Sequence, residues 1–175
     1  MADPATIAKL AEVTTFTAEE ITNMYVNFKK LSASVKDDNL IDAEEFRDMM
    51  ACHGGSVFID GLFRMFDRDN SGGIDFVEFV TSLAIYQGKA RNVNDQEKQR
   101  LFFKIYDADG DGEISQNDLK KMLNSCFQSN FMEVAETDVN ELVQATFQKY
   151  DVTARGTIDF ASYAKNAFSH KSGYL

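Results

Sequence analysis

Three twelve-residue segments of this chain repeat one pattern of oxygen-bearing side chains, and that pattern limits the fold more than any other feature. Residues 107–118 carry Asp107, Asp109, Asp111, Ser115 and Asp118 at positions 1, 3, 5, 9 and 12, with Gly112 at position 6, Glu113 at 7 and Ile114 at 8. Residues 67–78 give Asp67, Asp69, Ser71, Gly72, Gly73, Ile74, Asp75 and Glu78 in the same register. Residues 151–162 give Asp151, Thr153, Arg155, Gly156, Ile158, Asp159 and Ser162. A hard divalent cation gathers about six to eight oxygens around one point, and a loop this short supplies them only by turning sharply at position 6, where glycine escapes the Cβ clash of an unusual φ. An aromatic pair precedes each segment at one offset: Phe63/Phe66, Phe103/Tyr106 and Phe147/Tyr150. A repeat with a period of about 40 residues marks one structural unit used several times.

The spacing is that of the EF-hand calcium loop, in which two helices flank the ligands. A fourth unit opens the series. Phe28 and Leu31 stand at the aromatic-pair offsets, and Ile41, Asp42, Glu45 and Phe46 match the loop end, but Ser32 to Glu45 is a 14-residue loop. Position 9 doubles as the N-cap of each outgoing helix. Asp42 with Glu45 and Asp75 with Glu78 fit a capping box, and Ser115 with Asp118 and Asp159 with Ser162 are weaker versions. Upstream, Asp3-Pro4 predicts a helix start running to about Val13. Thr17 with Glu20 predicts a second capping box, stapled by Phe16 and Ile21, for a helix reaching Leu31. β-branched Ile41, Ile74, Ile114 and Ile158 suit a short strand pairing between adjacent loops. The expected fold is all-α: four EF-hand helix–loop–helix units in two paired lobes, with short β pairing between loops. The expected organisation is a helical extension at 1–15, an EF-hand pair at 16–87, a linker at 88–94 and a second pair at 95–175. Asn94 with Glu97 caps the helix after the linker.

Ligand chemistry separates the loops. In 67–78 the side chains of Asp67, Asp69 and Ser71, the Gly73 carbonyl, Asp75 and a bidentate Glu78 form a full calcium set. In 107–118 the expected set is Asp107, Asp109, Asp111, Glu113, Ser115 and Asp118. Asp118 is a methylene shorter than Glu, which favours a monodentate, six-oxygen shell and so opens this loop to Mg²⁺ as well as Ca²⁺. Arg155 puts a cation at ligand 5 of the 151–162 loop, and Ser162 cannot replace a bidentate carboxylate, so that loop is expected to be empty. In the 14-residue loop two extra residues displace ligands, and Lys36 adds a positive charge; sequence does not decide whether it binds an ion.

The chain has 175 residues and a net charge of −10, which argues against nucleic acid and against electrostatic attachment to anionic membranes. Seven Met suit adaptable binding surfaces. Cys52 and Cys126, with His53 and His170, make no zinc spacing and read as reduced thiols. The N-terminus shows no apolar signal region, no apolar run is long enough to span a bilayer, and Ala2 stands where myristoylation needs glycine. No direct membrane anchor is expected, and the expected location is cytoplasmic. No paired-acid site, nucleophile–base arrangement or phosphate loop stands apart from the metal loops, so neither catalysis nor a small-molecule substrate is expected.

The run Phe28-Lys29-Lys30-Leu31-Ser32, through Asp37-Asp38 to Glu44-Glu45-Phe46, resembles the first hand of calcineurin B-like proteins, which also carry a 14-residue first loop. Over almost the whole chain the four hands resemble calcineurin B and the plant calcineurin B-like proteins, more loosely the neuronal calcium sensors, and also calaxin-type axonemal sensors. The resemblance implies a non-catalytic calcium sensor or regulatory subunit. Such proteins hold an amphipathic helix of a phosphatase, kinase or motor protein in an apolar groove. In this chain the outgoing helix with Phe79, Leu83 and Tyr86 would supply that face. The alternatives are a constitutive structural light chain and a Ca²⁺ buffer.

Overall fold

The computed structural model describes residues 2–50, 56–129, 131–151 and 154–167. Cys52, His53, Thr153 and His170, and the tail from Phe168, lie outside the described residues, whereas Cys126 is half-buried and not in a disulfide. The order is α1 (Pro4–Val13), α2 (Ala18–Leu31), α3 (Ala43–Met49), α4 (Val57–Phe66), α5 (Phe76–Tyr86), α6 (Asp95–Tyr106), β1 (Glu113–Ser115), α7 (Gln116–Ser129), α8 (Glu136–Tyr150), β2 (Thr157–Asp159) and α9 (Phe160–Ala167). Among the described residues it is a helical fold with one small antiparallel sheet.

The helices start where polar side chains satisfy the first free amides. Asp3 accepts from the Thr6 amide at 3.3 Å, with Pro4 in the first turn. The Thr17–Glu20 box is reciprocal: the Glu20 amide donates to Thr17 Oγ1 at 3.2 Å, and the Thr17 amide to Glu20 Oε2 at 2.7 Å. Its staple residues Phe16 and Ile21 are buried. Asp42–Glu45, Asp75–Glu78 and Asn94–Glu97 close in the same way.

The chain forms two compact units: residues 1–55 with 62–98, and 56–61 with 99–175. In the first, Ile41 and Ile74 exchange both backbone hydrogen bonds at 2.9 Å, as the repeated isoleucines predict. Below this bridge lies a chain of rings. Phe28 meets Phe76 and Phe79 at 5.4 and 5.8 Å, Phe46 meets Phe63 and Phe66 at 5.7 and 5.6 Å, and Phe66 meets Phe79 at 6.0 Å. These separations are those of favourable edge and tilted aromatic packing. In the second unit β1 pairs with β2, Ile114 opposite Ile158, over Phe103, Val143 and Phe147.

Two features go beyond the sequence reading. Helix α1 packs on α2 and α5 through buried Leu10, and the residues after it are tied to the segment read as a linker. Thr14 bridges Ala90, the Thr15 amide donates to Lys89 O at 2.8 Å, and the Arg91 amide donates to Val13 O at 2.8 Å. Residues 89–91 are therefore a structural part of the first unit. The second feature is α4, whose first turns, Ser56–Gly61, cluster with the second unit and whose remainder clusters with the first. Within the second unit Gly61 allows close packing: a Cβ there would stand 2.5 Å from the Ile105 carbonyl oxygen. In a helix Gly→Ala ordinarily gains up to about 1 kcal/mol. Gly61→Ala should instead destabilise, by about 1–3 kcal/mol of overpacking against backbone that cannot rotate away. Urea unfolding of the two proteins checks this, and an increase in stability would refute the contact.

Candidate metal centres

The 67–78 loop folds around its first and last carboxylates. Asp67, buried at the end of α4, accepts the Ser71 amide on Oδ1 at 2.9 Å and the Gly72 amide on Oδ2 at 3.0 Å. Asp69 accepts the Ser71 amide at 2.9 Å, and contact with Ser71 holds its carboxyl below the usual carboxylate range. Glu78 Oε1 accepts the amides of Arg68 and Asp69 at 3.0 and 3.2 Å, while its Oε2 accepts the Asp75 amide at 3.1 Å. Ligand atoms of Asp67, Asp69 and Glu78 lie within 4.8 Å of one another. Ser71 Oγ donates to the Gly73 carbonyl at 2.9 Å, and Asp75 serves as the N-cap of α5. Three converging carboxylates with hydroxyl and carbonyl oxygens beside them fit a hard divalent cation, whose charge would offset their mutual repulsion.

The 107–118 loop brings Asp107, Asp109 and Asp111 together within the same limit. Asp107 accepts the Gly110 and Gly112 amides at 2.8 and 3.0 Å, and Asp111 accepts the Glu113 amide at 2.8 Å. Burial pushes the Asp107 carboxyl up, against those two amides, and the charges of Asp111 and Asp109 add to the rise. Glu113 sits in β1. Asp118 stays outside the three-carboxylate group. Its Oδ2 accepts the Ser115 hydroxyl at 2.6 Å and the Ser115 amide at 2.9 Å. Its Oδ1 is buried with no hydrogen-bond partner, on a side chain that is fully enclosed. A buried carboxylate oxygen left unpaired costs about 1–3 kcal/mol or more, and a cation in this loop would remove that cost. The donors therefore fit a divalent ion here as well.

Among the described residues the other two loops bring no three carboxylates together. Asp151 accepts the amides of Arg155 and Gly156 at 3.2 and 2.7 Å. Asp159 accepts the Ser162 amide at 2.8 Å, and its carboxyl is held low first by Ser162 and then by the charge of Arg155. In the first loop, Glu45 is 1% exposed; its Oε1 accepts the amides of Val35 and Lys36 at 3.1 and 3.4 Å. Glu78 makes the matching bonds to Arg68 and Asp69, so Val35 and Lys36 are their counterparts, and the two extra residues fall before Val35. Left-handed backbone at Asn39, Gly72, Gly112 and Gly156, each six positions before its loop's last residue, confirms this register. Lys36 thus occupies the third ligand position, with its ammonium 3.0 Å from Asp38 in the fifth. The pair shifts both groups, Lys36 up and Asp38 down. Lys29 closes the same loop on Asn39 Oδ1 at 2.6 Å and Asp37 at 3.2 Å.

Two aromatic arrangements accompany the loops. Phe79 lies in the ring chain of the first unit, Leu83 is half-buried, and Tyr86 is largely exposed. In the second unit a cavity of about 300 Å³ is lined by Tyr106, Ile114, Leu119, Tyr150, Ile158 and Tyr163. Burial pushes the Tyr163 phenol up to about 12, with smaller contributions from Tyr106 and Tyr150.

Two models of the EF-hand domain pair match this chain, at residues 37–86 and 96–167. The calcineurin B protein of Naegleria gruberi is 30% identical over 169 residues, 96% of this chain and 89% of that protein. Calcineurin B-like protein 5 of Arabidopsis thaliana is 28% identical over 159 residues, 90% of this chain and 77% of its own length. Human calaxin is 27% identical over 169 residues, 90% and 78% of the two chains. Paired helix–loop–helix units with acidic loops define the EF-hand class of calcium-binding proteins. Within that class the chain belongs to the family of calcineurin B, calcineurin B-like proteins and calaxin: it is a calcium-sensor regulatory protein and not an enzyme. Among the described residues no helix is long and apolar enough to cross a membrane.

Glu78→Gln keeps the shape of the side chain but removes its charge, and should lower calcium affinity of the first unit tenfold or more. Asp151→Asn should leave the number of bound ions unchanged. Calorimetric titration reads both, and an unchanged Glu78→Gln isotherm would refute the ligand set.

Proposed function

We propose that this protein senses calcium in the cytoplasm through the 67–78 loop and responds by engaging an amphipathic helix of a protein target such as a phosphatase, kinase or motor protein. The observation that carries the reading is the double attachment of Glu78. One of its oxygens holds the amides of Arg68 and Asp69 at the loop entrance, and the other holds Asp75 at the start of α5. Recruiting this carboxylate to a cation would release those bonds and shift the first turn of α5 relative to the loop. That turn leads into Phe79, Leu83 and Tyr86. The tyrosine-lined cavity supports the same logic in the second unit. Its walls include Tyr106 and Leu119, the chain neighbours of Asp107 and Asp118, so a target side chain seated there would touch the residues beside the ligands. The expected mode is a helix laying its apolar face into a groove.

At 107–118 the proposed ion is Ca²⁺ or Mg²⁺, held by Asp107, Asp109, Asp111, Glu113, Ser115 and Asp118. Asp118→Glu should raise the preference for Ca²⁺, because a longer side chain reaches the ion with both oxygens and Ca²⁺ gains more than Mg²⁺ from a seventh ligand. Competition titration in millimolar Mg²⁺ measures the ratio, and a fall would reject the length argument.

A second reading, a constitutive structural light chain, draws on the other two loops: Lys29 and Lys36 brace the first, and Asp151 braces the last. Two-dimensional methyl NMR with calcium and with chelator, in the presence of an amphipathic helical peptide, separates the readings. A sensor shows methyl shifts outside the loops on calcium addition and peptide binding that strengthens with calcium. Equal binding in both conditions favours the light chain; calcium binding without methyl shifts or peptide binding leaves a buffer.

A further inference from the structure

We infer that the cleft between α1 and α5 is a second binding site, built for an acidic, aliphatic peptide segment of a protein partner and linked to the 67–78 loop. The cleft measures about 380 Å³ and lies wholly within the first unit. Its floor is apolar: Leu10 and Ile85 are buried there, and Val13 and Val77 stand 41% and 40% exposed along it. Solvent-facing aliphatic side chains on both walls leave apolar area that a ligand would cover. The cleft lies on the Val77/Thr81/Ile85 face of α5, whereas Phe79, Leu83 and Tyr86 occupy the other side of the helix by its 3.6-residue period. It is therefore distinct from the groove proposed above.

The rim carries the charge information. Lys9, Arg68 and Arg91 line the cleft in a chain of net charge −10. Elsewhere Lys29, Lys36 and Lys120 are paired with carboxylates. The side chains of Lys9 and Arg91 make no ion pair or hydrogen bond among the described residues. The rim's carboxylate, Glu97, is engaged by the Asn94 amide at 3.1 Å. Two unneutralised cations flanking an apolar floor complement a segment in which carboxylates flank Leu, Ile or Val. The open walls suit side chains projecting from a peptide; an acyl chain would need an enclosed tunnel. The walls are also fixed in advance, because Thr14–Ala90 pairing and the Arg91 amide bond to Val13 hold the two sides together, which lowers the ordering cost of binding.

Arg68 and Val77 belong to the 67–78 loop, and the Arg68 amide rests on Glu78. A segment in the cleft therefore contacts the loop that calcium would reorganise, and by linkage any change calcium makes in the segment's affinity is matched by an equal change the segment makes in calcium affinity.

The test is selection from a phage library of twelve-residue peptides on the full-length protein in saturating calcium, run in parallel on Lys9→Glu/Arg91→Glu, Lys9→Arg/Arg91→Lys and Thr81→Trp. Circular dichroism and calorimetric calcium stoichiometry matching the parent establish that each variant is folded. Acidic, aliphatic sequences should be enriched on the parent and on the conservative variant, and a synthesised winner should bind the charge-reversed and cleft-filled variants at least tenfold more weakly. Its affinity for the parent should also change at least fivefold when calcium is chelated. The inference is overturned if the same peptides are enriched on the parent and the charge-reversed variant, if neutral or basic sequences dominate, or if Thr81→Trp binds as well as the parent. Displacement of the winner by oleate at lower concentration than by unlabelled peptide would assign the cleft to lipid instead. Because Lys9, Arg91 and Thr81 lie outside the metal loops, a chain that failed to open with calcium would still report on this cleft.

Discussion

The glutamate that ends each loop of the first unit bonds in two directions, and the helices of that unit are tied together through this dual bond. Glu78 and Glu45 each cap an outgoing helix by accepting the amide of the N-cap residue, and each reaches back to two amides at the loop entrance. The incoming and outgoing helices are thereby tied through one side chain. Asp118 makes only the capping bond, because it is too short to reach back, and its second oxygen is left buried and unpartnered. A single methylene thus separates a loop closed by its own hydrogen bonds from one that retains an unfilled acceptor.

Below the loops the units differ in the chemistry of corresponding rings. Phe46, Phe66 and Phe79 in the first unit touch one another through carbon alone. The matching positions of the second unit hold Leu119, Tyr150 and Tyr163, with Tyr106 lining the same cavity. A phenol hydroxyl resists burial without a partner, and here the tyrosines surround a cavity where the phenylalanines close a core. Tyr106 and Tyr163 stay 6.3 Å apart, and burial raises both phenols. The two units thus share a backbone plan and differ in how easily a foreign side chain can enter.

Sequence made the local geometry legible because that geometry is set by neighbours in the chain. Caps at Asp3, Thr17, Asp42, Asp75 and Asn94, the isoleucine pairs and the aromatic offsets all concern residues within a few positions of each other or in repeated register. The attachment of residues 89–91 to Val13–Thr15 was not legible, because it rests on backbone hydrogen bonds between distant segments, and these carry no side-chain signature. The packing of Gly61 against Ile105 within the second unit was not legible either, because a lone glycine in a helix has many readings. The first loop shows an intermediate case. Its length was evident, but its register came from which amides Glu45 holds and from the left-handed turn at Asn39, and that placed Lys36 at the third loop position.

Each unit thus pairs one loop in which three carboxylates converge with one in which, among the described residues, they do not. In the first, the Ile41–Ile74 bridge joins a lysine-braced loop to the Asp67, Asp69 and Glu78 cluster. In the second, the Ile114–Ile158 pair joins the Asp107, Asp109 and Asp111 cluster to a loop held by Arg155 and Gly156 amides. The strand-side residues of each acidic loop are held by this backbone pairing, whereas its last carboxylate lies in the first turn of α5 or α7. A cation that drew in that carboxylate, as proposed above, would therefore act first on the outgoing helix.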